Sequence, residues 1–252
     1  MTTGTLDIVD THGHLGPSPT GMGQETTEEE VLQAMAAGGV SVTLVMPQSL
    51  QADERAAHDR VHAFCQSQPG RIYGMASISP LWDEAAYNAE ARRCVRELGF
   101  KALKLHPGSY NTSPLLDRAE KCFRAAADLG VPLIVHTGAG APPSLPSLVI
   151  PRARQFPNLP IVLAHAGYAI YCEEALVAAE VCSNIYLEPS WCQYYQARRM
   201  VAAAGSERMV MGSDHPANLL VELAKWRATG ISDADMANCM GGTARRLFHL
   251  EG

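Results

Sequence analysis

The sequence predicts an α/β fold, a single-domain (β/α)8 TIM barrel with extra C-terminal helices, spanning residues 1–252. Three observations predict it. Apolar or β-branched runs recur about every 25 to 35 residues, with helical patterns between them. Eight such strand–helix units fit within the 252 residues. Several runs end in a His or Asp where a Gly- or Pro-containing loop begins. An open doubly wound sheet is the alternative. The barrel is preferred because closing strand 8 on strand 1 brings Asp214 beside His12 and His14.

The elements follow in order. Strands are expected near 6–12, 41–46, 71–78, 100–105, 132–137, 160–165, 184–188 and 208–213. Helices are expected near 26–37, 53–67, 83–98, 115–129, 147–155, 170–182, 193–203 and 216–229. Thr27-Glu28-Glu29-Glu30 has the form of a capping box at the first helix. Gly38-Gly39 and Gly130 stand where helices should stop. Two short helices near 232–239 and 241–249 close the chain. Thr137–Ser144, rich in Gly, Ala and Pro, reads as a loop over the site.

Hydrophobic residues make up 47% of the chain and charged residues 18%, the balance of a globular protein. The net charge is −6 and no Lys/Arg run forms a basic stripe, which argues against nucleic acid. No apolar stretch approaches the length of a membrane span. Met1–Thr5 lacks the basic start and long apolar core of a signal peptide. The seven cysteines are scattered and form no Cys-x-x-Cys pair, so free thiols in a cytoplasmic protein are expected. The expected partner is a small-molecule substrate.

The chemistry lies in the strand ends. Side chains alternate along a strand, so His12 and His14 of Asp10-Thr11-His12-Gly13-His14 share one side. His136 ends the run Leu133–Val135, His165 ends Ile161–Ala164, and Asp214 ends Met209–Ser213. His12, His14 and His136 offer three nitrogens to a divalent metal, and Asp214 adds a carboxylate or takes a proton from bound water. His165, across the site, is the expected polarising or proton-moving group. Zinc is the default ion, with manganese or iron as alternatives. Lys104 and His106, two residues apart near the end of strand 4, are candidates for binding substrate. So are Glu188 and Trp191 after strand 7. Trp82, Tyr110 and Tyr168 lie in loops on the same face and are candidates for lining the pocket. Arg152 and Arg154 are weaker candidates for an anionic substrate, and His58 and His62 read as a solvated helix face.

The pieces "DTHGH" at 10–14, "GFKALKLHP" at 99–107, "PLIVHTG" at 132–138, "IVLAHAG" at 161–167 and "MVMGSDHP" at 209–216 occur in an order that resembles the amidohydrolase superfamily. More narrowly the chain resembles the amidohydrolase-2 branch, which holds aminocarboxymuconate-semialdehyde decarboxylase, related decarboxylases and lactone hydrolases. "GGTARRLFHL" at 241–250 fits too, although Thr243 stands where Asn is usual. The resemblance implies metal ligation by His12, His14, His136 and Asp214, and a catalytic His165. Some members of the superfamily carbamylate a strand-4 lysine to bridge two metals. The surroundings of Lys104 instead resemble the mononuclear branch. The resulting expectation is a metal-dependent hydrolase that activates water to open an ester, lactone or amide. Non-oxidative decarboxylation of an unsaturated or aromatic acid is the alternative. A homodimer is implied only by the resemblance.

Overall fold

Parallel strands alternate with helices along the chain, as the apolar periodicity predicts. The computed structural model describes residues 6–19, 25–138 and 142–251. Met1–Thr5 and the centre of the Thr137–Ser144 loop lie outside the described residues. The strands are β1 (Val9–Leu15), β2 (Val42–Pro47), β3 (Ile72–Gly74), β4 (Ala76–Ser77), β5 (Leu103–Leu105), β6 (Leu133–His136), β7 (Ile161–Ala164) and β8 (Ile185–Glu188). The helices are α1 (Glu28–Gly38), α2 (Glu54–Ser67), α3 (Glu84–Arg92), α4 (Asp117–Leu129), α5 (Ile150–Gln155), α6 (Tyr168–Val181), α7 (Tyr194–Ala204), α8 (Leu219–Ala228), α9 (Asp233–Ala237) and α10 (Thr243–Leu247).

The ladders run β1-β2-β3 and β4-β5-β6-β7-β8. β3 and β4 are two halves of the one strand expected at 71–78. Met75 between them donates its N–H to Val45 O, and Ala76 donates to Ala102 O, so pairing carries across the break. The expected eighth strand closes the ring without forming a regular ladder. Val210 N–H donates to Leu187 O on one side, and Thr11 N–H donates to Met211 O at 2.9 Å on the other. Val9, Leu44, Met75, Ala102, Ile134, Val162 and Val210 fill the interior, where Leu247 and Phe248 at the end of α10 also pack. A second apolar layer lies between strands and helices.

β1 runs three residues further than the expected end at residue 12, because it pairs with β2 as far as Leu15↔Pro47. A register shift between Asp10 and Gly13 changes the side-chain phase. Val9 packs in the interior, and strict alternation would therefore turn His12 outward. The extra residue brings His12 and His14 to the inward side.

The α1 capping box forms as read: Thr27 Oγ1 accepts from Glu30 N–H, and the Glu30 carboxylate accepts from Thr27 N–H. The reading of His58 and His62 as a solvated face is corrected. His58 is fully buried and pairs with Glu90 Oε1 of α3 at 2.9 Å. His62, half-buried, places Nδ1 3.2 Å from Leu98 O. α3 and the turn after it cover this side of α2. All seven cysteines are free, six of them buried. Among the described residues, no helix is long and apolar enough to cross a membrane.

Candidate active site

The ends of β1, β5, β6, β7 and the 209–213 segment meet at the C-terminal mouth of the barrel, where barrel chemistry collects. Asp214 Oδ1 lies 3.5 Å from His12 Nε2 and 3.3 Å from His14 Nε2. The His165 ring stands 4.8 Å from those of His12 and His136, centroid to centroid. His106 stacks on His136 at 3.8 Å with 14° between the ring planes. Lys104 Nζ reaches His12 Nε2 at 3.0 Å. Tyr168 packs 4.5 Å from the His165 ring, and Trp191 Nε1–H donates to Asp214 Oδ2 at 2.8 Å.

Burial sets the charges. It disfavours protonated imidazole and holds His12, His106 and His136 well below their usual pKa, with His165 brought down to about 3. It also brings Lys104 down to about 8. For Asp214 burial opposes the charge, but His165, His14 and His12 together hold its carboxyl well below the ordinary range. Burial thus favours the neutral form of His12, His106, His136 and His165, the form in which an imidazole binds metal. Donor atoms of His12, His165 and Asp214 lie within 4.8 Å of one another. His12 offers Nε2 because Nδ1 is engaged by Glu188 Oε2 at 2.8 Å. His14 Nδ1 is buried with no hydrogen-bond partner among the described residues. These donors fit a divalent cation.

The backbone is strained here. Among the described residues, eight non-glycine residues have positive φ, and five of them are His165, Ala166, Tyr168, Trp191 and Asp214. Each such residue costs on the order of 1–3 kcal/mol, which concentrates strain where side chains must be aimed. Two glycines make room. A Cβ on Gly212 would stand 2.7 Å from Glu188 Cδ, and one on Gly138 would stand 2.7 Å from Tyr168 Cδ2.

The structure gathers His12, His14, Lys104, His106, His136, His165, Tyr168, Trp191 and Asp214 into this mouth. Other expectations need correction. Glu188 is 1% exposed behind His12, with its oxygens taken by protein donors, so it does not face substrate. Arg152 is buried under α4 and donates to Pro114 O, Leu115 O, Leu116 O and Glu120, so it is not free for an anion. Arg154 is exposed. The Tyr110 hydroxyl donates to Glu54 Oε1 and accepts from Leu50 N–H, which pins two loops together. Trp82 packs against the outer core. Sequence reasoning missed Ser190, whose Oγ lies 2.7 Å from His165 Nδ1. Its only signal was its place two residues after Glu188.

The fold is similar to 5-carboxyvanillate decarboxylase from Sphingomonas paucimobilis, with TM-score 0.81 and 17% identity over 98% of this chain and 100% of that one. It is similar to 5-carboxyvanillate decarboxylase from Novosphingobium aromaticivorans in complex with manganese and 4-hydroxy-3-methoxy-5-nitrobenzoic acid, with TM-score 0.79 and 16% identity over 98% and 97%. A candidate 2-pyrone-4,6-dicarboxylic acid hydrolase from Pseudomonas putida gives TM-score 0.75 and 21% identity over 98% and 99%. No curated protein matches the chain. At these identities the likeness speaks for the fold. A sequence profile described as amidohydrolase matches residues 9–250, the span that builds both barrel and mouth, and the chain therefore belongs to the amidohydrolase family of enzymes.

Proposed function

We propose that this enzyme is a metal-dependent hydrolase that opens an ester, lactone or amide of a small organic molecule. The observation that carries the reading is Asp214. It is a carboxylate at the mouth of a pocket of imidazoles, with Oδ1 toward His12 and His14 and Oδ2 held by Trp191. We assign His12, His14, His136 and Asp214 as ligands of one divalent ion. Zinc suits a nitrogen-rich set with one carboxylate; manganese, present in one structural relative, and iron suit the same donors. When bound, the ion supplies Lewis acidity that makes water nucleophilic near neutral pH.

Asp214 takes the proton of the attacking water and returns it to the leaving oxygen or nitrogen. His165 moves a proton on the opposite side of the pocket. Lys104 and His106 bind substrate oxygens, while Tyr168 and Trp191 wall the opening. Decarboxylation of an unsaturated or aromatic acid is the second reading. The flat His106–His136 stack favours it, as do two solved relatives described as decarboxylases. Hydrolysis is preferred because, among the described residues, no arginine hydrogen-bonds to a side chain of the mouth, and Arg152 is spent elsewhere.

The test has two stages. Metal content is measured by plasma mass spectrometry on untagged protein, beside His12→Ala and Asp214→Ala. About one ion per chain is expected, lost in both variants. The loaded protein is then screened against lactones, amides and unsaturated acids. Release of a carboxylic acid or alcohol without CO2 supports hydrolysis. CO2 release from acids, with lactones and amides untouched, overturns it in favour of decarboxylation. A folded protein that takes up no ion overturns both.

A further inference from the structure

Glu188 and Ser190 form a buried hydrogen-bond unit behind the two inner histidines. Glu188 Oε2 accepts from His12 Nδ1 at 2.8 Å, Ser190 Oγ at 3.0 Å and His165 N–H at 3.2 Å. Oε1 accepts from Ser190 N–H at 2.6 Å. Ser190 and Glu188 are 0% and 1% exposed, which leaves solvent no part in the arrangement.

We propose that Ser190 is a positioning residue that fixes the tautomer of His165, with Glu188 as the common anchor for His165 and His12. A serine hydroxyl has a single proton. Directed to Glu188 Oε2, it leaves Ser190 Oγ as an acceptor. Oγ meets His165 Nδ1 at 2.7 Å, so Nδ1 carries the hydrogen. The reverse arrangement sets a hydroxyl lone pair against a carboxylate oxygen at 3.0 Å in a dry interior, which is costly. His165 therefore presents an Nε2 lone pair to the mouth, as His12 does through its direct bond to the same carboxylate. One acid sets two rings, the second through a relay. Glu188 also holds the His165 backbone N–H, at a residue whose φ is +65°.

In the resting site His165 accepts a proton or a cation at Nε2 and does not donate from it. This catalytic meaning rests on the hydrolase reading, whereas the tautomer does not. The test is ring 15N NMR of histidine-labelled protein near neutral pH, as purified and after chelator treatment. The His165 signals are identified by their absence in His165→Gln. The expected result is an Nδ1–H tautomer in the wild type. Ser190→Ala should give a mixture or the Nε2–H form, and Ser190→Thr should restore Nδ1–H. Glu188→Gln should loosen the His12 and His165 tautomers together. An Nε2–H wild type overturns the proposal, and so does an unchanged spectrum in a folded Ser190→Ala. If Ser190→Ala fails to fold, the wild-type and Ser190→Thr spectra still decide. A chain that binds no metal gives identical spectra before and after chelation, which refutes the metal assignment and still reports the tautomer.

Discussion

Gly212→Ala probes the link between packing and metal affinity. The added methyl would stand 2.7 Å from Glu188 Cδ, 2.8 Å from His12 Cβ and 2.9 Å from Glu188 Cγ. Neither neighbour can retreat into solvent, since both are 1% exposed. Glu188 is also tied to four donors. Gly212 is not in the left-handed region, so alanine brings no backbone strain there. The cost is overpacking, about 1–3 kcal/mol. For a domain of this size that lowers Tm by roughly 2–12 °C. If the clash is relieved by moving Glu188, His12 loses the acceptor on Nδ1. Loss of such a partner lowers metal affinity about 10–100-fold. Thermal unfolding of metal-free protein reads the first effect, and competition of Zn²⁺ with a chromophoric chelator reads the second. Gly38→Ala is the control. Its Cβ would meet Leu223 Cδ1 at 2.9 Å, the free end of a flexible side chain remote from the mouth. A Gly212→Ala protein that binds Zn²⁺ as tightly as the wild type refutes the argument that Glu188 aims His12.

Two further predictions concern the scaffold. Arg152→Met removes the guanidinium that donates to the carbonyls of Pro114, Leu115 and Leu116. The Pro114 carbonyl is the buried one of the three, and leaving it unpaired costs about 1–3 kcal/mol, so Tm should fall while Zn²⁺ affinity stays unchanged. A matching loss of Zn²⁺ affinity would return Arg152 to the site. Glu54 gives a pH signature. Burial raises its carboxyl above the ordinary 4.5, against the hydrogen bonds from Ser79 N–H and Tyr110 O–H. The folded state then holds a proton that the unfolded state has released. Its contribution is full below the unfolded pKa and is lost as pH rises through the folded one. Relative to Glu54→Gln, which cannot titrate, the wild type should lose unfolding free energy as the pH rises from the ordinary carboxyl value of 4.5 through the raised folded one. A difference that stays flat in urea melts across that range would contradict it.

Much of the barrel was legible because each strand carries an apolar run and each run stops at a loop-forming residue. His136, His165 and Asp214 could be placed at strand ends from that pattern alone. The inward turn of His12 and His14 was reached by alternation between the two residues. The shift that sets their phase relative to Val9 depends on pairing with β2, which local sequence does not encode. His58 and His62 fell one helical turn apart on a polar-looking face. The groups that bury His58 sit on α3, 32 residues away. Glu188 looked like a ligand for substrate because a charged residue at a strand end normally faces the mouth. Its retreat behind His12 needs the space left by Gly212, a fact of packing between strands distant in sequence. Ser190 carries no motif, and its importance follows only from the distances to two partners.

The ring closes between the first and last strand positions. Thr11 bonds Met211 across 200 residues, and Asp10 bonds Ser213 across 203. A ribosome adding about 5–20 residues per second emits His12 and His14 some 10–40 s before Asp214. Through that interval β1 has an unpaired edge that invites association with other chains. The proposed donor set also lacks its carboxylate. Chains interrupted before the last strand position therefore carry His12, His14 and His136 without the carboxylate of the proposed cation site. Under the proposed ligand assignment, acquisition of an ion reports that the last strand position has closed on the first, and a chain stopped short of it keeps an exposed edge.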